Sequence, residues 1–266
     1  MVPAAAAELF VRREGAGPPI VLLHGIAGDH TMWSAVARDL ARDHLVLAPD
    51  LRGHGKSPLP EGSTMSFSEL ARDVLAMLNR EKVESAHLVG LSAGGFLALT
   101  IALGQPQRVR SVVLVSSAGH CDRHTRSIGE RWVTTYREEG LDSFTLRLLK
   151  DLYYPDWIEN HMEVADRLRE SLAQADLTAT LAWSTSIREF DTRGRLIGMR
   201  APLLVIQGMD DQVIDASHAR LLRQTIQGTE VRLLAQTGHM VPVERPTETA
   251  EAIRGWVGRR DPRPPA

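Results

Sequence analysis

From Pro19 onward, short runs of apolar residues bounded by turn residues alternate with longer stretches in which apolar positions recur every three or four residues. A run that is apolar at successive positions marks a strand covered on both faces, and the longer stretches have the period of crossover helices. The pattern predicts strands over 20–23, 45–48, 87–90, 112–115, 203–207 and 231–234. Between them it predicts helices over 32–41, 67–80, 94–103, 217–227 and 247–257, with an antiparallel edge strand over 8–13. This order implies an α/β fold, a mostly parallel central sheet with helices on both faces.

The alternation breaks once. Between residues 119 and 200 no strand run occurs, whereas 131–139, 143–152, 155–174 and 177–190 all carry helical spacing. Because the sheet pattern resumes at Leu203, residues 119–200 are expected to form a helical cap over the carboxyl edge of a core made by 1–118 and 201–266. No internal repeat or low-complexity segment interrupts this organisation.

Composition narrows the classes of partner. With 266 residues, 43% of them hydrophobic, the chain can build its core without disulfides or metals. Lys and Arg total 31 against 33 Asp and Glu, so there is no basic excess for nucleic acid and no acidic block for a solvating tail. A single cysteine, Cys121, excludes an intrachain disulfide and a four-cysteine zinc site. The start, Met1-Val2-Pro3-Ala4-Ala5-Ala6-Ala7-Glu8, lacks the charged flank and long apolar stretch of a secretion signal, and no window approaches the ~18 apolar residues of a membrane span. The expectation is a cytoplasmic protein whose partners are a small molecule and water, with no nucleic acid and no membrane. The Pro-rich end, Asp261-Pro262-Arg263-Pro264-Pro265-Ala266, reads as a frayed tail.

The chemistry centres on Gly90-Leu91-Ser92-Ala93-Gly94, a G-x-S-x-G placed directly after the strand at 87–90 and directly before the helix at 94–103. A turn from strand to helix that sharp strains the serine backbone and requires small neighbours, which the two glycines and Ala93 supply. Alone the pentapeptide is a weak signal. Its weight comes from chain order, since a serine on such a turn needs an acid and then a histidine, each in a loop after a later strand. Gln207-Gly208-Met209-Asp210-Asp211 follows the strand at 203–207, and Gln236-Thr237-Gly238-His239 follows the strand at 231–234. Only His218 and His239 come after this acid. His218 sits within a helical pattern, where a solvated surface residue is expected, so His239 is the candidate base.

With these residues in place the chain resembles the α/β-hydrolase superfamily from about Glu8 to Gly258. The resemblance implies a cofactor-free serine hydrolase. In that superfamily the acid stands three residues after a glycine at the strand end, which selects Asp211 over Asp210. It also implies an oxyanion hole from the backbone N–H groups of Ile26, in His24-Gly25-Ile26-Ala27-Gly28, and of Ala93, with His24 shaping the loop. Asp50-Leu51-Arg52-Gly53-His54-Gly55-Lys56-Ser57 ends like a phosphate loop, but Asp50 stands where that motif needs glycine. It resembles instead the D-x-R-G-x-G-x-S loop of cofactor-free esterases and lactonases. His120, Cys121, Asp122 and His124 cluster near the start of the cap, yet no H-x-x-x-H set follows, so no metal is expected and the cluster reads as a polar loop beside the site mouth.

Substrate choice is assigned to the cap. Trp132, Tyr136, Phe144, Tyr153, Tyr154, Trp157 and Trp183 recur there at helical spacings, most of them expected to pack the cap and a minority to line a pocket. The pocket candidates are Trp33, Arg126, Trp132, Trp157, Trp183 and Met240. Arg126 belongs to a group with Arg123, Arg131 and Arg137 from which one guanidinium could meet a substrate carboxylate. The layout is similar to enol-lactone hydrolases and to aminoacrylate hydrolases, the latter also around His124-Thr125-Arg126 and Tyr154-Pro155-Asp156-Trp157. That implies a small carboxylic ester, lactone or related acyl substrate. Two alternatives stand beside it: a C–C bond hydrolase of diketone-type substrates, and a hydrolase-fold ligand receptor with slow turnover.

Overall fold

A computed structural model describes residues 6–174 and 177–261. Residues 1–5 and 262–266 lie outside the described residues; of the frayed tail expected over 261–266, Asp261 is described and is held in place, accepting from His87 Nε2 at 3.1 Å and from Arg110 Nη1. Seven strands form one sheet in the order β1-β3-β2-β4-β5-β6-β7. They are β1 (Val11–Glu14), β2 (Pro19–Leu23), β3 (Leu45–Pro49), β4 (Ala86–Leu91), β5 (Val109–Val115), β6 (Leu203–Gly208) and β7 (Glu230–Leu234). Only the edge strand β1 runs antiparallel, paired with β3, and every other pairing is parallel.

The inner strands are apolar at successive positions because each face has its own cover. Val21 and Leu23 of β2, Leu88 of β4, Val112 and Leu114 of β5 and Val205 of β6 join one buried cluster. Helices α2 (Phe67–Arg80), α3 (Ala93–Gly104) and α9 (Ser217–Thr225) pack into that cluster through Leu70, Leu97 and Leu222. The alternate residues Ile20, Leu22, Val89, Val113 and Ile206 enter a second cluster under α1 (Ser34–Leu40) and α11 (Pro246–Gly258). After β2 the chain moves outward to β3 and then returns to β4 on the other side of β2, so the strand order reverses between β2 and β4. The carboxyl ends of strands at such a switch point leave a crevice between the diverging loops, which is where ligands enter α/β sheets.

Between β5 and β6 the described residues form helices and no strand beyond an isolated bridge between His120 and Asp191: α4 (Arg123–Leu152), α5 (Pro155–Glu159), α6 (Glu163–Gln174), α7 (Leu177–Arg188) and α8 (Arg193–Leu196). Helix α4 begins before the stretch that apolar spacing predicts, because Asp122 caps it by accepting the Thr125 N–H at 2.8 Å. It is broken at Gly140, whose φ of 84° and ψ of −172° interrupt the helix between the two segments predicted separately. The single helix predicted over 155–174 is two. Side chains of Asn160 and His161 donate to the carbonyls of Asp156 and Trp157 at 2.6 and 2.7 Å, replacing the backbone donors of a continuing helix. The short α10 (Val241–Glu244) and α8 show no usable period in sequence.

Candidate active site

Four loops meet at the carboxyl edge, after β2, β4, β6 and β7. In the loop after β4, Ser92 takes φ 52° and ψ −119°, a left-handed φ that a non-glycine residue adopts only under constraint. The constraint is visible in its neighbours. A Cβ on Gly90 would lie 2.3 Å from the Gly94 carbonyl oxygen, and one on Gly94 would lie 2.4 Å from that of Leu23. The turn is fixed to β5, with the Ser92 N–H donating to Val115 O at 2.9 Å and the Ser117 hydroxyl donating to Ser92 O at 2.8 Å. Ser92 thereby stands at the N-terminus of α3, where the helix dipole favours developing negative charge.

The loop after β2 forms a tight turn in which the Gly28 N–H donates to Gly25 O at 3.3 Å and Ala27 takes φ 56°. His24 anchors it. Leu51 N–H donates to His24 Nε2 and His24 Nδ1 donates to Gly25 O, both at 2.8 Å, so the ring is locked as one neutral tautomer. Burial, and then the neighbouring His54, push its pKa from 6.5 down to about 4. This ring joins the turn carrying Ile26 to the loop after β3.

Asp211 and His239 are brought together from the loops after β6 and β7. His239 Nδ1 lies 2.8 and 3.0 Å from the two Asp211 carboxylate oxygens, and both side chains are buried. An ionised carboxylate only accepts, so Nδ1 carries the proton and Nε2 is left with the lone pair. Asp211 Oδ1 also accepts the N–H groups of Val213 and Ile214 at 2.8 and 2.9 Å, and Oδ2 accepts Gln207 Nε2 at 2.8 Å. Asp210, by contrast, is exposed.

The two ends of α4 hold these two loops. At its start, His124 Nε2 donates to Gln212 O at 2.8 Å and the Thr125 hydroxyl donates to Val213 O at 3.0 Å, on either side of the bonds that fix Asp211. At its end, the N–H groups of His239 and Met240 donate to Leu152 O at 2.8 and 3.1 Å. Sequence reading missed this, as it missed Gln207 and Glu244. The signals were a polar residue closing the all-buried run Leu203-Leu204-Val205-Ile206-Gln207 and an acid inside the apolar Val241-Pro242-Val243-Glu244.

Ser92, His239, Ile26 and Ala93 all line one cavity of about 380 Å³ between the sheet edge and the helices from α4 to α7. Its walls are largely apolar, including Met32, Leu91, Phe96, Leu148, Leu168 and Met240. Of the expected pocket residues, Arg126, Trp132 and Met240 line it; Trp33, Trp157 and Trp183 do not. Trp33 is fully buried among the side chains beneath α1, and Trp183 is fully buried with its ring edge-on to His54 at 5.2 Å. Trp157 is stacked between Tyr153 and His161, at 5.4 and 4.0 Å. A large ring gains most where it loses all its water, which accounts for Trp33 and Trp183, while Trp157, half-buried, is held away by its stacking partners. Tyr136 and Phe144 line it beside Trp132. Arg137 and Arg188 are further lining residues, while Arg131 pairs with Asp151 at 3.5 Å.

His218 is buried, not solvated, because Asp122 accepts from its Nε2 at 3.2 Å and the His120 ring lies 4.9 Å away. Cys121 lines the cavity. Among the described residues the group with metal-ligand spacing is Asp29, His30 and Asp50. Its donors are already used: Asp50 accepts the His30 ring at 2.7 Å and the N–H groups of His30 and Lys56, and Asp29 accepts the Thr31 N–H. Among the described residues no helix is long and apolar enough to cross a membrane.

Comparison with known proteins agrees with this architecture. The family profile for the alpha/beta hydrolase fold matches residues 18–246. RutD of Azorhizobium caulinodans, named as a carbamate hydrolase, is 29% identical over 96% of this chain and 97% of its own. The crystal structure of a hydrolase from Pseudomonas aeruginosa PA01 superposes with a TM-score of 0.86 at 30% identity, covering 95% of each chain. The enol-lactonase from Burkholderia xenovorans LB400 does so with a TM-score of 0.86 at 26% identity, covering 94% of this chain and 96% of that one. The family match and these relatives together mark the protein as a hydrolase, a member of the α/β-hydrolase family.

Proposed function

We propose that this protein is a serine hydrolase that cleaves carboxylic esters or lactones with a predominantly apolar body through an acyl-enzyme. The reading rests on one observation above the others. Ser92, held in a strained turn at the start of α3, opens onto the same cavity as His239, whose Nδ1 is bonded to buried Asp211. In this mechanism His239 Nε2 takes the proton of the Ser92 hydroxyl as its oxygen attacks the substrate carbonyl. Asp211 keeps the required tautomer and stabilises the imidazolium. The N–H groups of Ile26 and Ala93 receive the oxyanion, each such donor contributing about 3 kcal/mol in comparable sites. His239 then protonates the leaving oxygen, and water repeats the sequence on the acyl-enzyme. Residues 119–200 act as the cap that admits and shapes the substrate.

An activated fluorophosphonate should label the protein once, with the adduct on Ser92; an adduct on another serine would refute the assignment. The cavity supports a larger apolar substrate than the small acyl compound that the sequence resemblance implies, since its volume lies in the range of ligand-sized pockets. With p-nitrophenyl esters from acetate to hexanoate, kcat/KM should rise about fourfold per added methylene, the ratio expected for burying one CH2. A flat or falling series would argue for a small polar substrate.

A further inference from the structure

Glu244 belongs to none of the roles above, yet it is buried beside the loop that carries His239. Its Oε2 accepts the Gly238 N–H at 3.0 Å and the Tyr154 N–H at 3.1 Å, so one carboxylate oxygen joins the residue before His239 to the end of α4. With the bonds from His239 and Met240 to Leu152 O, three successive N–H groups, 238 to 240, are fixed. The approach is close enough that a Cβ on Gly238 would lie 2.7 Å from Tyr154 N and 2.9 Å from Leu152 O. The second carboxylate oxygen, Oε1, is buried with no hydrogen-bond partner among the described residues.

Holding two N–H groups does not by itself call for a charge, because a glutamine carbonyl of the same shape would accept both. A carboxylate adds a negative charge near His239. We propose that Glu244 is a positioning residue for the general base, holding the His239 loop against α4 while its charge favours the imidazolium that forms during proton transfer. This rests on the reading of His239 as the base of Ser92. Burial raises the Glu244 carboxyl above its ordinary range, while the N–H groups of Gly238 and Tyr154, and then the charge of His239, pull the other way. Among the described residues, Asp211 from the loop after β6 is bonded to His239, Glu244 from α10 interacts with its charge, and Tyr153 from the end of α4 faces the charge of Glu244. Tyr153 stays protonated, because burial and then the Glu244 charge raise its pKa.

The charge and the shape are separable by substitution. A negative charge raises the pKa of a neighbouring imidazole, so losing it lowers the pKa and leaves the base neutral to more acid pH. Glu244→Gln should therefore move the acid limb of the kcat/KM profile down by about half a pH unit and lower the plateau about fivefold, a loss set by a weakened charge–charge contact. Glu244→Asp, which keeps the charge but shortens the reach, should leave the limb in place while lowering kcat with little change in KM. A purely structural role predicts instead an acid limb that stays in place in both variants, with only the plateaus changing. Overlapping profiles for the wild type and Glu244→Gln, or a limb that moves in the Asp variant as far as in the Gln variant, would overturn the proposal. Fluorophosphonate labelling of each variant separates this from the underlying reading. If the wild-type adduct is not on Ser92, the reading itself fails; if the adduct is on Ser92 and the profiles overlap, only the role of Glu244 fails.

Discussion

Ser92→Ala should lower kcat for an activated ester by about 10⁶-fold, the loss expected when the nucleophile of a concerted triad is removed. Asp211→Asn should lower it by about 10⁴-fold, and Asp210→Asn should stay within about twofold. The asymmetry follows from who donates to Asp211. Its Oδ1 accepts the N–H groups of Val213 and Ile214, so in an asparagine the amide oxygen is held at that position. The amide NH2 must then occupy the place of Oδ2, where Gln207 Nε2 at 2.8 Å and His239 Nδ1 at 2.8 Å both donate. Donor meets donor, and the imidazole relieves the conflict by carrying its proton on Nε2 instead. That tautomer cannot accept the proton of Ser92. Asp210 is exposed, and its substitution disturbs none of these bonds. Steady-state hydrolysis of a p-nitrophenyl ester at neutral pH measures all three variants; an inactive Asp210→Asn beside an active Asp211→Asn would exchange the two roles.

The strands were readable because each inner strand is buried on both faces and so is apolar at successive positions. β6 is buried throughout and was predicted almost to its ends. The start of α4 was not readable, because Arg123-His124-Thr125-Arg126-Ser127 has no apolar stripe. That turn is stabilised by the Asp122 cap and by bonds to the Asp211 loop, which are distant in sequence. The same division runs through the site. Gly90, Ser92, Gly94 and the order of Asp211 and His239 are local or sequential signals, and they could be read. The roles of Gln207 and Glu244 exist only through contacts across loops. Helix α7 illustrates the limit for the pocket: Trp183 is buried against His54 while Leu181 and Ser184 line the cavity. A helix with two apolar environments has no single stripe to mark which side faces the substrate, so aromatic content alone pointed to the wrong tryptophans.

Arg52→Met should destabilise the fold by about 3–5 kcal/mol, the cost of leaving one member of a buried ion pair without the other. Arg52 Nε and Nη2 donate to the two Asp73 oxygens at 2.5 and 2.7 Å, and both side chains are completely buried. Glu69 lies 3.5 Å from the same guanidinium. Burial works against the arginine charge, but the bonds to Asp73 and the charges of Asp73 and Glu69 outweigh it and hold the guanidinium protonated. Without it, Asp73 keeps only the Ala7 N–H, at 2.7 Å, as a hydrogen-bond donor among the described residues. The pair therefore ties the loop after β3 to α2, and the loss should appear in urea unfolding as a lower midpoint with an unchanged slope. Arg52→Met combined with Asp73→Leu should recover at least half of the loss, because the penalty lies in the stranded carboxylate and not in the absence of a salt bridge. A double variant no more stable than the single one would mean instead that Arg52 acts by shaping the Asp50–Ser57 loop, whose Leu51 N–H holds the His24 ring beside the site.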